Sequence, residues 1–579
     1  MITKIIPTTQ RALVLQGGGA LGAFEAGVFR ALYEKIIKED IENGEADRPL
    51  FDIIAGTSAG AINGSILASY VTKRMRENPH WSMKQFWQGS AEYLEEFWIR
   101  LSSTPFIIEW FNPWWNYWYG WIPNSASQEA ARRYYGAKEF LTHGAPGVFS
   151  RPQITFDTTY FDPQNFWAHY DNQQLKDNIR SFAKLLPLRT YFENEHSKFP
   201  EPRLLIASVD IQEGETVIFD SYEKHTGNWK AEYGRQGKEY DKNGVNEDAH
   251  EHVITYDKGI DIEHIMASLS VPLHYAHTEL SAEERANYDP IRRFWDGQLL
   301  SNTPLRELIS EHKEFWENQI RTKTKAGTKK LFEIDAEEFS EILREGKNNE
   351  IRVPSLEVYI VNLWPTKERD FPHSNRDLLS DRKNDITSHD KTEYDRKVAM
   401  LVSDYTDLAQ KLLQKLIDLA KKNGVAKEAI MEILEERART SQRTGEERKY
   451  LDLIKARFEI TKTVIIERVD DEDSVSNKWL DLSRLTIDQM IRQGYQEAQM
   501  PVDLEFIRDN LNRLLAKRKI TEIQGGELHL RIQKIKLDLK HQDRSNMTKN
   551  LEKLLQYAKE QELPSALIDR IEKLIPSGS

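Results

Sequence analysis

The stretch Phe51-Asp52-Ile53-Ile54-Ala55-Gly56-Thr57-Ser58-Ala59-Gly60-Ala61-Ile62-Asn63 limits the possible folds more than any other part of the chain. An apolar run ends abruptly in Gly-Thr-Ser-Ala-Gly, and a helix-compatible run of small residues follows. This predicts a strand, a sharp turn and a helix, with one serine at the turn. The G-x-S-x-G spacing is that of a nucleophile elbow, in which the turn presents the serine oxygen at the end of a sheet. Gly56 and Gly60 leave room for a cramped turn and for close helix–strand packing. Ser58 falls at a helix N-terminus, where free amides and the macrodipole favour negative charge. The same five-residue pattern also occurs as an ordinary Gly-Ser turn, so it needs support from elsewhere.

That support precedes it. Arg11-Ala12-Leu13-Val14-Leu15-Gln16 reads as a buried strand, Gly17-Gly18-Gly19-Ala20-Leu21-Gly22 as a turn, and Ala23 to Lys38 as a helix. A glycine-rich strand-to-helix turn offers backbone N–H groups to an anion. Two such turns on one sheet supply a nucleophile and an oxyanion hole. Gly17, Gly19 and Gly22 also fit G-x-G-x-x-G, but a dinucleotide site needs an acid about 20 residues on, at the end of the next strand. Here that strand ends in Gly56-Thr57-Ser58 instead.

Two further segments lie far downstream. Ile265-Met266-Ala267-Ser268-Leu269-Ser270-Val271-Pro272-Leu273 is followed by Arg293-Phe294-Trp295-Asp296-Gly297-Gln298-Leu299-Leu300-Ser301-Asn302-Thr303-Pro304-Leu305. With these, the sequence resembles the patatin-like phospholipase family, which carries a G-G-G-x-x-G turn, a G-x-S-x-G elbow, an A-S-x-x-x-P segment and a D-G-[GA] motif followed by N-x-P. All four occur in order, across residues 11–73 and 203–308. The resemblance implies a Ser–Asp dyad without a catalytic histidine. Ser58 is then the nucleophile, Asp296 its partner, and the amides of Gly17, Gly18 and Gly19 the oxyanion hole. Gly22, Gly56, Gly60 and Gly297 shape the motifs. Two positions depart from the family pattern: Gln298 stands where Gly or Ala is usual, and Leu21 where Arg or Lys is frequent. The implied substrate is a lipid or other fatty-acyl ester, and the scheme needs no metal or organic cofactor.

At 579 residues, two or more compact units are the prior. There is no cysteine, which excludes disulfides and thiolate chemistry and suits a cytoplasmic protein. The N-terminus has no sustained apolar segment of the signal-peptide kind. No run of 18 or more apolar residues predicts a membrane span. A net charge of -12 argues against a nucleic-acid partner.

A lipid enzyme without a span needs another way to meet its substrate. Residues 78–121 hold 8 of the 14 tryptophans, densest at Trp110, Trp114, Trp115, Trp118 and Trp121. Tryptophan favours membrane–water interfaces, so this segment is a candidate lid or peripheral membrane anchor. An ordinary core and a dimer contact fit the same composition, which leaves a homo-oligomer open.

Farther along, Leu204–Val209 reads as a buried strand and Thr216–Phe219 as its hairpin partner across Glu213-Gly214. Residues 222–256 are charged and glycine-punctuated, which predicts a loop. Its His225, Asp248, His250 and His252 match no helical zinc motif. Leu356–Leu363 and Thr463–Ile466 read as strands, and 366–396 as irregular. Leu401, Leu408, Leu412, Leu416 and Leu419 share one helical face, and a second helix is expected over 427–439. Residues 501–579 read as helices only, with 15 Lys and Arg against 12 Asp and Glu.

The expected fold is α/β: a three-layer α/β/α hydrolase with a mostly parallel central sheet and an extra C-terminal helical region. The expected organisation is a catalytic core at 1–365, with the Trp-rich insertion at about 78–125, an extension at 366–500 and a helical segment at 501–579. Two other functions stay open. One is a Ser-His-Asp hydrolase using His274 or His277, although its chain order would differ from that of the α/β-hydrolase fold. The other is a non-catalytic lipid- or partner-binding scaffold.

Overall fold

The structure is a computed structural model that describes residues 6–104, 128–151, 170–193, 199–224, 228–240, 246–283, 290–347, 351–366, 375–389, 392–423, 428–439, 448–455, 458–469, 473–541 and 543–575. Trp110, Trp114, Trp115, Trp118 and Trp121 lie outside these residues. Trp87 and Trp98, from the same insertion, are buried in the core, and Trp81 packs against it.

The core sheet has eight strands: β1 (Thr9–Leu15), β2 (Ile53–Thr57), β3 (Arg203–Asp210), β4 (Glu215–Asp220), β5 (Thr278–Ser281), β6 (Ile291–Asp296), β7 (Ser355–Asn362) and β8 (Ile460–Glu467). Their order is β8-β7-β1-β2-β3-β6-β5, with β4 paired to β3. Strands β8, β7, β1, β2 and β3 run parallel, and β4, β5 and β6 are antiparallel additions. β1, β2 and β3 read as near-continuous apolar runs and are buried along their whole length apart from Thr9, as parallel strands covered on both faces must be.

Helix α1 (Gly22–Asn43) follows β1, and α2 (Ala59–Glu77) follows β2. Nearly every residue in the first two turns of each is buried, so these helices are held by the sheet and by their neighbours rather than by an amphipathic stripe. Helix α3 (Ser90–Leu101) packs Trp98 over the start of α2.

Two expectations change. The predicted loop at 222–256 contains a two-stranded hairpin, Lys230–Tyr240 against Asn246–Thr255. Its alternating apolar residues Trp229, Ala231 and Tyr233, with Ile254 paired to Ala231, are buried, but the surrounding charge and glycine hid that pattern. The predicted irregular stretch 366–396 contains α4 (Arg376–Ser388), capped by the Asn375 side chain. The leucine stripe lies on α5 (Thr392–Asn423), but it faces away from the body, while Leu413 and Ile417 pack inward.

Helix α6 (Arg484–Ala516) runs continuously through the expected boundary at 500/501. It crosses α1 where a side chain on Gly27 would meet the Ile491 carbonyl and one on Gly494 the Phe24 carbonyl. Helices α7 (Glu522–Lys540), α8 (Arg544–Glu560) and α9 (Ser565–Glu572) form a separate apolar cluster with the end of α6, centred on Leu511, Leu528, Ile535, Leu551 and Leu554. No described helix is long and apolar enough to cross a membrane.

Candidate active site

β2 ends at Thr57 and α2 begins at Ala59, so Ser58 makes the turn alone. Its φ of 52° and ψ of -118° are rarely adopted by a residue with a side chain, at a cost of order 1–3 kcal/mol that surrounding structure must offset. The Ser58 N–H donates to Ser268 Oγ at 2.9 Å, and Ser268 Oγ donates to the Ala207 carbonyl at 2.6 Å. A Cβ on Gly56 would sit 2.3 Å from the Gly60 carbonyl, and one on Gly60 2.4 Å from the Leu15 carbonyl. The elbow therefore closes only with glycine at both positions.

Sheet register brings the second residue beside the first. β3 pairs with Thr57 at Ala207 and with Asp296 at Ser208. Successive rungs of one strand thus set the serine turn and the carboxylate side by side. Gly297 lets the chain leave β6 against this junction: a Cβ there would lie 2.5 Å from the Ala207 carbonyl and 2.9 Å from Thr57 Cγ2.

Asp296 is buried. Its Oδ1 accepts the Gln298 N–H at 2.9 Å, while Oδ2 is enclosed with no fully aligned donor. Burial pushes its pKa from 3.8 to about 7, with the Gln298 amide and the Ser58 hydroxyl pulling the other way. An Asp of ordinary pKa is a weak base near neutrality. This environment removes that handicap by desolvation.

The glycine turn is bracketed from two sides. The Gly17 N–H donates to the Asn302 carbonyl at 3.1 Å, and the Gly17 carbonyl accepts from Asn302 Nδ2 at 3.2 Å and Trp364 Nε1 at 2.7 Å. Gln16 Nε2 donates to Thr303 Oγ1, and its Oε1 accepts the Leu363 and Trp364 amides. Of the three glycines expected to offer amides, Gly17 therefore has none to spare. The Gly18 and Gly19 N–H groups have no hydrogen-bond partner among the described residues, and both glycines line the cavity with Ser58. Gly19 has φ 57°, and a Cβ there would lie 2.5 Å from the Trp479 carbonyl. Gly22 packs under Trp98 and Ala59 in the same way.

The cavity has a volume of about 270 Å³. Its walls are mainly apolar: Ile62, Trp98, Leu101, Phe149, Leu175, Leu269, Trp364, Trp479 and Leu482. Gln298, Asn384, Thr387 and Ser388 add a polar side. Trp98 is held by its Nε1 donating to Asn63 Oδ1 at 2.9 Å. Trp479 is placed by its neighbour Lys478, which is buried between Asp381 at 3.1 Å and Asp385 at 2.7 Å on α4.

His274 and His277 are not joined to this pair. The His274 ring contacts the Pro272 carbonyl and packs on Trp479 and Tyr170, and burial lowers its pKa. His277 lies near Glu279. Farther off, His252 sits beside Glu213, while His225 and the side chains of Asp248 and His250 lie outside the described residues.

A family model described as patatin-like phospholipase matches residues 13–309, more than half of the chain. The chain belongs to the patatin-like phospholipase family. A crystal structure of VipD from Legionella pneumophila is a structural neighbour at 11% identity and a TM-score of 0.26, covering 98% of this chain and 84% of that one. No curated protein matches. Family membership supports a lipid hydrolase activity for this patatin-like protein.

Sequence reading missed the parts of this patatin-like site that come from outside its motifs. Asn384, Thr387, Ser388, Trp479, Leu480 and Leu482 line the cavity from beyond the matched region. No local spacing marks them. Ser268 was legible only as part of A-S-x-x-x-P, with no hint that its hydroxyl bridges the elbow to β3.

Proposed function

We propose that this patatin-like protein is a serine-dependent lipid acyl hydrolase acting through Ser58 and Asp296. The observation that carries the proposal is the enclosed Asp296 Oδ2, which lacks an aligned donor beside a serine held in a strained turn. Catalytic hydrogen bonds are often loose before substrate binds. Ser58 Oγ attacks the ester carbonyl carbon while its proton passes to Asp296. The carbonyl oxygen becomes an oxyanion, and the Gly18 and Gly19 N–H groups stabilise it, with Gly17 fixing the turn behind them. The intermediate collapses, and the leaving alcohol takes the proton from Asp296. Water then repeats the sequence on the acyl-enzyme and releases the fatty acid. The apolar cavity accommodates the acyl chain, because its walls offer few groups that would need hydration.

The catalytic core in this proposal extends past residue 365, because β8 and the 384–388 and 479–482 segments complete the sheet and the cavity. The site belongs at a lipid surface, which fits peripheral contact rather than a membrane span. The test is a panel of p-nitrophenyl and phospholipid esters assayed on wild type beside Ser58→Ala. The proposal expects hydrolysis by wild type, favouring longer-chain acyl esters over acetyl esters, and background rates for the variant. Equal rates for both would remove it.

A further inference from the structure

Helix α5 has two apolar faces, and the body of the protein covers only one. Leu413 and Ile417 are buried there, and Gln410 Nε2 donates to the Ile454 carbonyl on the same side. The opposite face carries Val398, Leu401, Tyr405, Leu408, Leu412 and Leu419, each between 40% and 63% exposed. From 398 to 412 they are spaced alternately by three and four residues, the 3.5-residue period of a coiled-coil seam. Leu401 and Leu408 hold d positions, and the other four hold a. Lys415 stands at the remaining d position and interrupts the apolar seam there. The helix is 32 residues long, about 48 Å at 1.5 Å per residue.

The residues flanking this seam indicate what covers it. The g positions are Lys397, Asp404, Lys411 and Asp418, alternating in sign. When two identical helices pack antiparallel, g faces g. The register that sets Tyr405 on Leu408 of a second copy also sets Leu412 on Leu401 and Leu419 on Tyr394. In that same register Lys397 meets Asp418 and Asp404 meets Lys411, and two-fold symmetry repeats both contacts. A parallel pair would bring g against e, where Val402, Ala409 and Leu416 carry no charge. Lys397 and Lys411 now lie near Glu393 and Asp407 of their own helix, at 3.5 Å and 2.6 Å. Exposed pairs of this kind contribute little, so both lysines are free to exchange partners.

A lipid surface explains neither feature. It imposes no 3.5-residue period, and interfacial helices favour Lys and Arg beside the apolar face, where this helix has Asp404 and Asp418. We propose that the exposed face of α5 is a homodimer interface, occupied by α5 of a second copy of this chain in the antiparallel register described.

The test is sedimentation equilibrium on the full chain, which should report twice the 67.5 kDa monomer mass. Leu401→Glu/Leu408→Glu should give a monomer with an unchanged far-UV circular dichroism spectrum. Two charge variants then test the register. Lys397→Asp/Lys411→Asp and Asp404→Lys/Asp418→Lys should each dimerise at least about tenfold more weakly alone, and mixing them should restore a dimer. Wild type that stays monomeric up to about 100 µM overturns the proposal. So does a dimer that ignores the charge variants, or variants that fail to recover on mixing. A monomeric wild type that sediments with phosphatidylcholine–phosphatidylglycerol vesicles, and loses this in Leu401→Glu/Leu408→Glu, assigns the face to lipid and also overturns it.

Discussion

Replacing Asp296 by Asn separates the carboxylate's proposed part in the reaction from its effect on stability. The side chain is buried, and burial raises its pKa from 3.8 to about 7. A carboxyl group whose folded pKa lies above its unfolded value binds protons more readily in the fold. Its contribution to stability is therefore complete below the unfolded pKa and is lost as pH rises through the folded one. Above that window the fold carries a buried charge, and the gap between 3.8 and about 7 corresponds to about 4 kcal/mol at about 1.36 kcal/mol per pH unit. Asn keeps the shape without the charge, and its amide can donate to the Ser58 oxygen. Urea unfolding of both proteins at about pH 5 and about pH 8.5 measures the difference. The variant should be more stable than wild type at the higher pH by up to about 4 kcal/mol, and by much less at the lower pH. It should also be inactive, and wild-type kcat/KM should rise with pH through about 7 as the base loses its proton. A variant no more stable than wild type at high pH, or an advantage that does not change with pH, would refute this account of Asp296.

Other perturbations probe the geometry around the pair. Gly297→Ala places a methyl 2.5 Å from the Ala207 carbonyl, so it should cost about 1–3 kcal/mol as overpacking and reduce turnover by displacing Asp296, read by thermal unfolding and ester assay. His274→Ala and His277→Ala should each retain wild-type turnover within about threefold, since neither ring touches Ser58 or Asp296; loss of activity in either would revive a histidine base. Replacing Trp114, Trp115 and Trp118 by Ser should depress activity on vesicles while sparing a short soluble ester, because each ring burial is worth about 25 cal/mol per Å². Equal loss on both substrates would assign these tryptophans to the core.

Much of the site is legible in the sequence because its demands are local. A strained serine turn between a strand and a helix needs small residues at fixed offsets, and Gly56 and Gly60 display them. The same holds for the glycine turn and for the Asp-Gly step out of β6. What brings these pieces together is register, with Thr57 and Asp296 on adjacent rungs of β3, and register between distant strands leaves no local mark. The spent amide of Gly17 is hidden for the same reason, since its partner Asn302 lies 285 residues away. The far wall of the cavity depends on the buried Lys478 between Asp381 and Asp385, charged residues that in sequence read as surface. On α5 the stripe itself was evident, but not its direction, because Leu413 and Ile417 offer the body a second apolar face.

The assignment of Ser58 as nucleophile is tested most directly by intact-mass and peptide mapping after treatment with a fluorophosphonate probe. An oxyanion hole stabilises the phosphonylated serine as it does the acyl intermediate. The account predicts a single adduct on the peptide containing Ser58, absent in Ser58→Ala. An adduct on another residue, or one that persists in Ser58→Ala, would contradict it.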